Sequence, residues 1–168
     1  MNVTSVDQSP AFTLAELDEF WRYAPNLRYL LYKMILALGI AGKCSGVELI
    51  NLTTADLMVY ESKAFLTVRN ESEKSKYKII GSALIIVKRY MIAREHVNHP
   101  KLLLLQHNDH SLNQSISLAV VDNACLEAAR FLALPNFTQY NYKCFRQTAE
   151  NFAAEEGVDE VKKYYHYR

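Results

Sequence analysis

The sequence contains few cysteines and no cysteine motif. Only three of its 168 residues are cysteines, Cys44, Cys125 and Cys144, and no two of them have CxxC spacing. An odd number without paired spacing argues against a disulfide framework and against a cysteine-rich zinc site. We therefore expect an intracellular protein in a reducing compartment.

Long apolar runs and an excess of one charge are also missing. The longest apolar stretch, MILALGIAG, is about half of the ~20 residues that a membrane-spanning helix requires. No basic segment followed by an apolar core marks a secretion signal near the N-terminus, so no membrane association is expected. The formal net charge is only +1, whereas a strong nucleic-acid clamp normally carries a clear basic excess.

The composition that is present is typical of one globular domain. Half of the residues are hydrophobic and 22% are charged, which at this length permits a sizeable core. No internal repeat or low-complexity tract occurs. We predict a poorly ordered N-terminal segment over residues 1–12 and a single domain over residues 13–168.

Helical patterns dominate the first part of the domain. Thr13 and Glu16 have capping-box spacing and open a predicted helix over about residues 13–24. The segment NLRYLLYKMILALGIAG is apolar around nearly its whole circumference, which predicts a helix in the centre of the core. Ser45 and Glu48 repeat the capping box and predict a short third helix.

A small sheet interrupts the helices. The alternating segments DLMVY, AFLTVRN and YKIIGS, separated by polar turns, predict a three-stranded antiparallel meander. Further helices are predicted over about residues 82–95, 117–132, 141–156 and 158–166. The fold class is α+β, mainly α-helical with one small three-stranded antiparallel sheet.

The order of these elements resembles the catalytic domain of the tyrosine recombinases. Two motifs, CSGVELINLTTADL and YKCFRQTAENFAAEEGVD, carry the resemblance, which covers the chain from about residue 26 onwards. It is closest to the phage-integrase-like recombinase domains of Crypton-type transposons and of the host proteins derived from them. In that family a tyrosine attacks a DNA phosphodiester while two arginines, a lysine and a His or Trp neutralise charge and assist proton transfer.

The resemblance implies a degenerate active site. Ser45 stands where the family has its first arginine, and a serine cannot hold a phosphate bidentately. In the family's H-x-x-R box, Arg146 matches the second arginine, but Lys143 replaces the histidine. An alternative for Arg146 is a structural arginine held beneath aromatic rings by stacking and carbonyl hydrogen bonds.

The remaining family positions fall on a lysine-rich turn and on the tyrosine-rich end of the sequence. The turn lysine corresponds to Lys74, or to Lys76 if the turn is shifted, and the third His or Trp corresponds to Tyr164. The helix that bears the nucleophile in the family is then not expected within this sequence. Tyr164, Tyr165 or Tyr167 would replace the nucleophile only in a compressed C-terminal region.

The resemblance therefore implies a catalytically inactive, domesticated recombinase-like domain. We expect a nuclear protein-interaction module in chromatin or transcription regulation, without a cofactor, and able to form homo-oligomers. An alternative is a DNA-binding module that retains the groove through Lys74, Lys76, Lys143 and Arg146, and a further alternative is an active recombinase. The acidic segment AEEGVDE beside the site would repel DNA.

Four histidines form two H-x-x-H pairs within HVNHPKLLLLQHNDH. Such pairs are compatible with a metal site, but no cysteine lies among them and a buried run, KLLLL, separates them. The prediction is a solvated loop with surface histidines and no metal.

Overall fold

The computed structural model describes residues 10–70, 72–95, 101–106, 114–155 and 165–167. Within these ranges the helices are α1 Leu14–Tyr23, α2 Asn26–Ala41, α3 Gly46–Ile50, α4 Gly81–Arg94, α5 Leu118–Phe131 and α6 Cys144–Glu155. The strands are β1 Leu57–Val59, β2 Ala64–Arg69, β3 Lys74–Ile79, β4 Leu105–Gln106, β5 Gln114–Ser115 and β6 Tyr165–Tyr167.

Helix α2 forms the centre of the core, as its apolar circumference predicts. Nine consecutive positions, 33–41, are buried along its C-terminal part. Helices α3, α4, α5 and α6 all pack against it. These helices therefore pack their apolar faces around α2, and their polar faces are left for solvent or ligands.

Helix α1 begins with the predicted capping box. The Thr13 hydroxyl accepts the backbone N–H of Glu16 at 3.1 Å, and the Glu16 carboxylate accepts the backbone N–H of Thr13 at 2.8 Å. The apolar face of α1 is buried in its own domain. Phe12, which belongs to the predicted N-terminal segment, is 1% exposed, and its N–H donates to the hydroxyl of Thr148 at 3.1 Å.

The predicted three-stranded meander is present. Strand β2 pairs antiparallel with both β1 and β3, and Leu66 lies opposite Tyr77 in the register. Because side chains alternate along a strand, Leu66 and Val68 face the helices, whereas Phe65 and Arg69 face away from them. The sheet therefore has an inner face on the core and an outer face.

The C-terminal part of the sheet differs from the sequence prediction. Tyr165 and His166, predicted as the end of a helix over residues 158–166, form strand β6 together with Tyr167. This strand pairs antiparallel with β3 and makes the sheet four-stranded. The helix prediction is wrong for Tyr165 and His166. The free edge of β3 offers unpaired backbone groups, and the aromatic sequence Tyr-His-Tyr favours a strand at such an edge.

A second, two-stranded sheet was also not predicted. Strands β4 and β5 pair antiparallel, and the run before them is buried as expected, with Leu103 and Leu104 at most 1% exposed.

No helix in the described ranges is long and apolar enough to cross a membrane.

The predicted loop histidines, His96, His99, His107 and His110, lie outside the described residues. Among the residues that are described, no three His, Cys, Asp or Glu side chains come together as metal ligands do.

Candidate functional site: the meander cavity

A cavity of about 310 Å³ lies where the end of α2, the inner face of β2 and β3, and α6 meet. We call it the meander cavity. It is lined by residues from three separate segments of the chain, including Lys43 and Glu48, Ser75 and Tyr77, and Arg146. Polar side chains from distant segments thus converge on one concave surface, which is the usual architecture of a ligand site.

The local backbone at the end of α2 places Lys43 in this cavity. The N–H of Cys44 donates to the carbonyl of Gly39 at 2.9 Å, and the N–H of Lys43 donates to the carbonyl of Ile40 at 3.2 Å. These two hydrogen bonds are those of a Schellman motif, in which the residue after the C-cap adopts the left-handed conformation. Lys43 occupies that position with φ 50°.

Gly42 allows the end of α2 to approach the sheet closely. A Cβ atom at Gly42 would lie 2.6 Å from Cγ2 of Val68 and 3.2 Å from Cδ2 of Leu66. Contacts this short require the buried side chain of Val68, or the backbone beside it, to shift. A residue without a side chain is therefore required for Lys43 to lie beside the meander.

Helix α6 contributes Arg146 and Glu150, which are one turn apart and both line the cavity. The neighbouring Phe145 and Thr148 are fully buried. Their burial fixes the rotation of the helix about its axis, because the face that carries them must point into the core. Arg146 is exposed. Its side chain is therefore not buried in the core, and the alternative of an arginine held by stacking and carbonyl hydrogen bonds stays a prediction.

Among the described residues that line it, the cavity has more carboxylates than cations. Lys43 and Arg146 share the lining with Glu48, Glu73 and Glu150. The carboxylate of Glu48 accepts the backbone N–H of Ser45 at 2.8 Å in the predicted capping box. Three carboxylates beside two cations disfavour a multiply charged anion at this site, since each added negative charge would repel it.

The strand register separates the cavity from the predicted turn lysines. Ser75 and Tyr77 line the cavity, so the alternating Lys74 and Lys76 are on the outer face of the sheet. The Nζ atom of Lys76 lies 4.6 Å from the centroid of the Phe65 ring on that face. Neither lysine is among the residues that line the cavity.

The other predicted site residues lie near the cavity or outside the described ranges. Ser45 caps α3, and its hydroxyl accepts the N–H of Glu48 at 3.1 Å. Lys143 is exposed just before α6, and its backbone N–H donates to the Asn141 side chain at 2.9 Å. Neither side chain lines the cavity. Tyr164 lies outside the described residues.

Sequence reasoning missed Lys43 and the glutamates. Counting three residues back from Glu48 leads to Ser45, whereas the residue that lines the cavity is Lys43, two positions earlier in the Schellman turn. The signal for this was the triplet Gly42-Lys43-Cys44 at the end of an apolar helix, where a left-handed residue is common.

We expect Lys43→Gly to stabilise the protein. A non-glycine residue in the left-handed conformation costs about 1 kcal/mol that glycine avoids, so the free energy of unfolding should rise by about that amount. Urea denaturation would measure it. Lys43→Ala is the matched control, because it removes the same charge but keeps the strain; an equal gain for alanine would show that the charge, not the backbone, was responsible.

Three solved structures of recombinases resemble the chain. XerH site-specific recombinase bound to difH substrate in a pre-cleavage complex aligns with TM-score 0.66 and 12% identity over 96% of this chain and 48% of that chain. Its post-cleavage complex with palindromic difH substrate gives TM-score 0.63 and 12% identity over 97% and 49%. XerA recombinase gives TM-score 0.68 and 12% identity over 92% and 54%.

The chain matches no protein-family model and no curated protein sequence. It spans about half the length of the recombinases above. At 12% identity, this likeness shows a shared fold alone. The chain therefore has the fold of a tyrosine recombinase catalytic domain.

Proposed function

We propose that this chain is a recombinase-like domain that does not cut DNA and instead acts as a protein-interaction module in chromatin or transcription regulation, within the nucleus. The observation that carries the proposal is the charge of the meander cavity, where Glu48, Glu73 and Glu150 accompany Lys43 and Arg146. Cleavage of a phosphodiester accumulates negative charge on phosphorus and needs fixed cations around it.

The geometry of the two cations also supports the proposal. An arginine holds two phosphate oxygens at once with its planar guanidinium, whereas a lysine acts as a single point charge. The described part of the lining offers one of each, on Arg146 and Lys43. Losing one stabilising donor costs on the order of 10²–10³ in rate, so a site with one arginine and three carboxylates is poorly suited to this reaction.

A covalent-trapping experiment tests the absence of cleavage. The protein is incubated with nicked duplexes of randomised sequence, from which a cleaved fragment diffuses away and leaves any tyrosine–DNA adduct trapped. We expect no adduct on denaturing gels, while a XerA recombinase with its own site serves as the positive control. An adduct lost in Tyr165→Phe or Tyr167→Phe would refute the proposal and identify the nucleophile on β6.

A second candidate function is DNA binding through the outer face of the meander. Five basic residues lie on that face, which we call the outer basic face: Lys63, Arg69, Lys74, Lys76 and Lys78. Within the described residues, Arg69 is the member of this face that forms an ion pair, with its Nε atom 3.3 Å from a carboxylate oxygen of Asp56. The two XerH structures above are complexes with their DNA substrates. Their shared fold supports DNA binding as the second candidate function.

Duplex binding at two salt concentrations tests the second candidate. Five phosphate contacts would weaken binding about 500-fold between about 50 and about 200 mM salt. Lys74→Glu with Lys76→Glu should abolish this binding, whereas Lys143→Glu with Arg146→Glu should not. Binding that depends on the second pair would instead place DNA in the groove of the fold, and no binding at low salt would eliminate the candidate.

A further inference from the structure

A second and larger concave surface lies on the helices, away from the residues that line the meander cavity. It is a groove of about 770 Å³ between the N-terminal half of α2 and the C-terminal half of α4. We call it the α2–α4 groove. Its apolar lining includes Leu27, Leu30, Leu31, Ile92 and Leu105.

The groove exposes large apolar side chains that contribute little to the domain's own core. Leu27 is 102% exposed and Ile92 is 61% exposed. Leu27, Leu30 and Leu31 follow the three- and four-residue spacing of one helix face, and Ile85 and Ile92 are two turns apart on α4. Within the groove, Leu27 on α2 and Ile92 on α4 are the exposed large apolar side chains, while Leu30 and Leu31 are half-buried against the core. An apolar surface shared by two neighbouring helices is one on which a third helix can pack.

The charge around the groove is of one sign. Arg28, Arg89 and Arg94 line it, and no Asp or Glu is among the described residues of the lining. Arg94 donates to the carbonyls of Leu102 and Leu103. Arg28 lies 3.9 Å from Glu127, so part of its charge is already compensated from outside the groove.

Arg89 is the cation best placed to meet a partner. It is exposed on α4, between Ile85 and Ile92. A carboxylate beside it would form a charge-assisted hydrogen bond at the edge of an apolar contact, where partial desolvation strengthens the interaction. A cationic partner would be repelled by three arginines.

We propose that the α2–α4 groove binds a short amphipathic helix of a partner protein whose apolar face is flanked by aspartate or glutamate. The inference deepens the proposed interaction function and rests on it. The apolar face of the partner helix would cover Leu27, Leu30, Leu31 and Ile92, and its carboxylates would meet Arg89 and Arg28. The chemistry that selects the partner is thus apolar periodicity combined with negative charge.

Selection from a displayed library of random peptides tests the proposal without a known partner. We expect the peptides enriched on the wild-type protein to have apolar residues at helical spacing with flanking Asp or Glu.

Leu27→Asp and Ile92→Asp should each weaken the affinity for a selected peptide about tenfold or more, as measured by fluorescence anisotropy. Because both side chains are exposed, folding should be unaffected. Val47→Asp, also on an exposed position at 58% but outside the groove, is the matched control.

A charge swap makes the test specific. Arg89→Glu should lose the acidic peptide and gain affinity for the same peptide with lysine in place of its flanking carboxylates. Enrichment of basic peptides, or of apolar peptides without acidic flanks, would overturn the proposal, and so would no enrichment at all.

Two further outcomes separate this inference from the proposed function. Peptides that bind Leu27→Asp and wild type equally would overturn the groove as the site but leave protein interaction as the function. Concentration-dependent dimerisation that Leu27→Asp abolishes, seen by light scattering, would show that a second copy fills the groove and would overturn the assignment to a partner protein. A covalent DNA adduct in the trapping experiment would refute the proposed function independently.

Discussion

Lys33→Met is expected to destabilise the protein by about 3 kcal/mol, since it leaves buried carbonyl groups without a donor. Lys33 is 1% exposed in the middle of the core. Its Nζ atom donates to the carbonyl of Trp21 at 2.9 Å, to the carbonyl of Ala24, and to the side chain of Asn26 at 2.8 Å. These acceptors lie at the end of α1 and the start of α2, where backbone groups have no partner within their helices.

Methionine fills a similar volume but cannot donate a hydrogen bond, so packing is largely preserved while the acceptors stay buried and unpaired. The free energy of unfolding in urea measures the loss. Lys88→Met is the matched control, because Lys88 is also on a helix but donates only to the carbonyl of Glu61 at an exposed position; we expect it to cost less than about 1 kcal/mol. Equal losses for the two variants would contradict the assigned role of Lys33.

The wild-type protein and Lys33→Met also allow a test of the pH dependence of stability. Burial, and secondly the positive charge of Arg89, lower the pKa of Lys33 from 10.5 to about 8. Between those two pH values the folded protein has released this proton while the unfolded chain still holds it, so the unfolded chain binds more protons and stability rises with pH. The deficit of Lys33→Met relative to wild type should therefore grow from pH 8 towards about pH 10.5. A deficit that shrinks over this range would show that the charged form is the one the fold favours.

The sequence predicted local structure wherever one residue pair or one periodicity decides it. The capping boxes at Thr13 and Ser45 are both present, because each depends on two side chains three residues apart. The alternation of the meander and the apolar circumference of α2 are equally local signals. The order of the helices follows from these elements, and the recombinase-like fold was predicted from the resemblance of that order and of two motifs to the tyrosine recombinases.

The features that the sequence did not predict depend on contacts between segments that are distant in the chain or on the geometry of a whole turn. Tyr165–Tyr167 forms a strand because the edge of β3 is available to it, and no helical or strand pattern over three residues encodes that partner. The side of the sheet on which Lys74 and Lys76 lie depends on the register between β2 and β3, where a shift of one residue exchanges the two faces. Lys43 reaches the cavity through a turn whose geometry is set by the whole end of α2.

Gly39→Ala is expected to destabilise the wild-type protein and to stabilise a Phe145→Ala variant. A Cβ atom at Gly39 would lie 2.6 Å from Cδ2 and Cε2 of the Phe145 ring, and this ring is fully buried. Alanine gains about 1 kcal/mol in helix propensity over glycine, but forcing a methyl group against a rigid buried ring costs about 1–3 kcal/mol. The expected net loss in the wild-type background is about 1 kcal/mol.

Phe145→Ala alone should cost about 3–5 kcal/mol because it leaves a cavity between α2 and α6. In that background the added methyl group enters free space, so only the propensity gain of about 1 kcal/mol and some filling of the cavity remain. The sign of the Gly39→Ala effect should therefore reverse, with a coupling energy of about 2 kcal/mol in a double-mutant cycle. Urea denaturation of the four proteins measures it.

Gly46→Ala is the control for a close contact with a side chain that can move. A Cβ atom there would lie 2.5 Å from Cδ2 of Leu118, but that side chain is 47% exposed and can turn away at little cost. Its effect should be small and independent of Phe145. Because Gly39 precedes Lys43 by one turn and Phe145 precedes Arg146, we expect their close contact to affect the distance between Lys43 and Arg146 in the meander cavity. If the effect of Gly39→Ala has the same sign with and without the Phe145 ring, this contact does not set the spacing of α2 and α6.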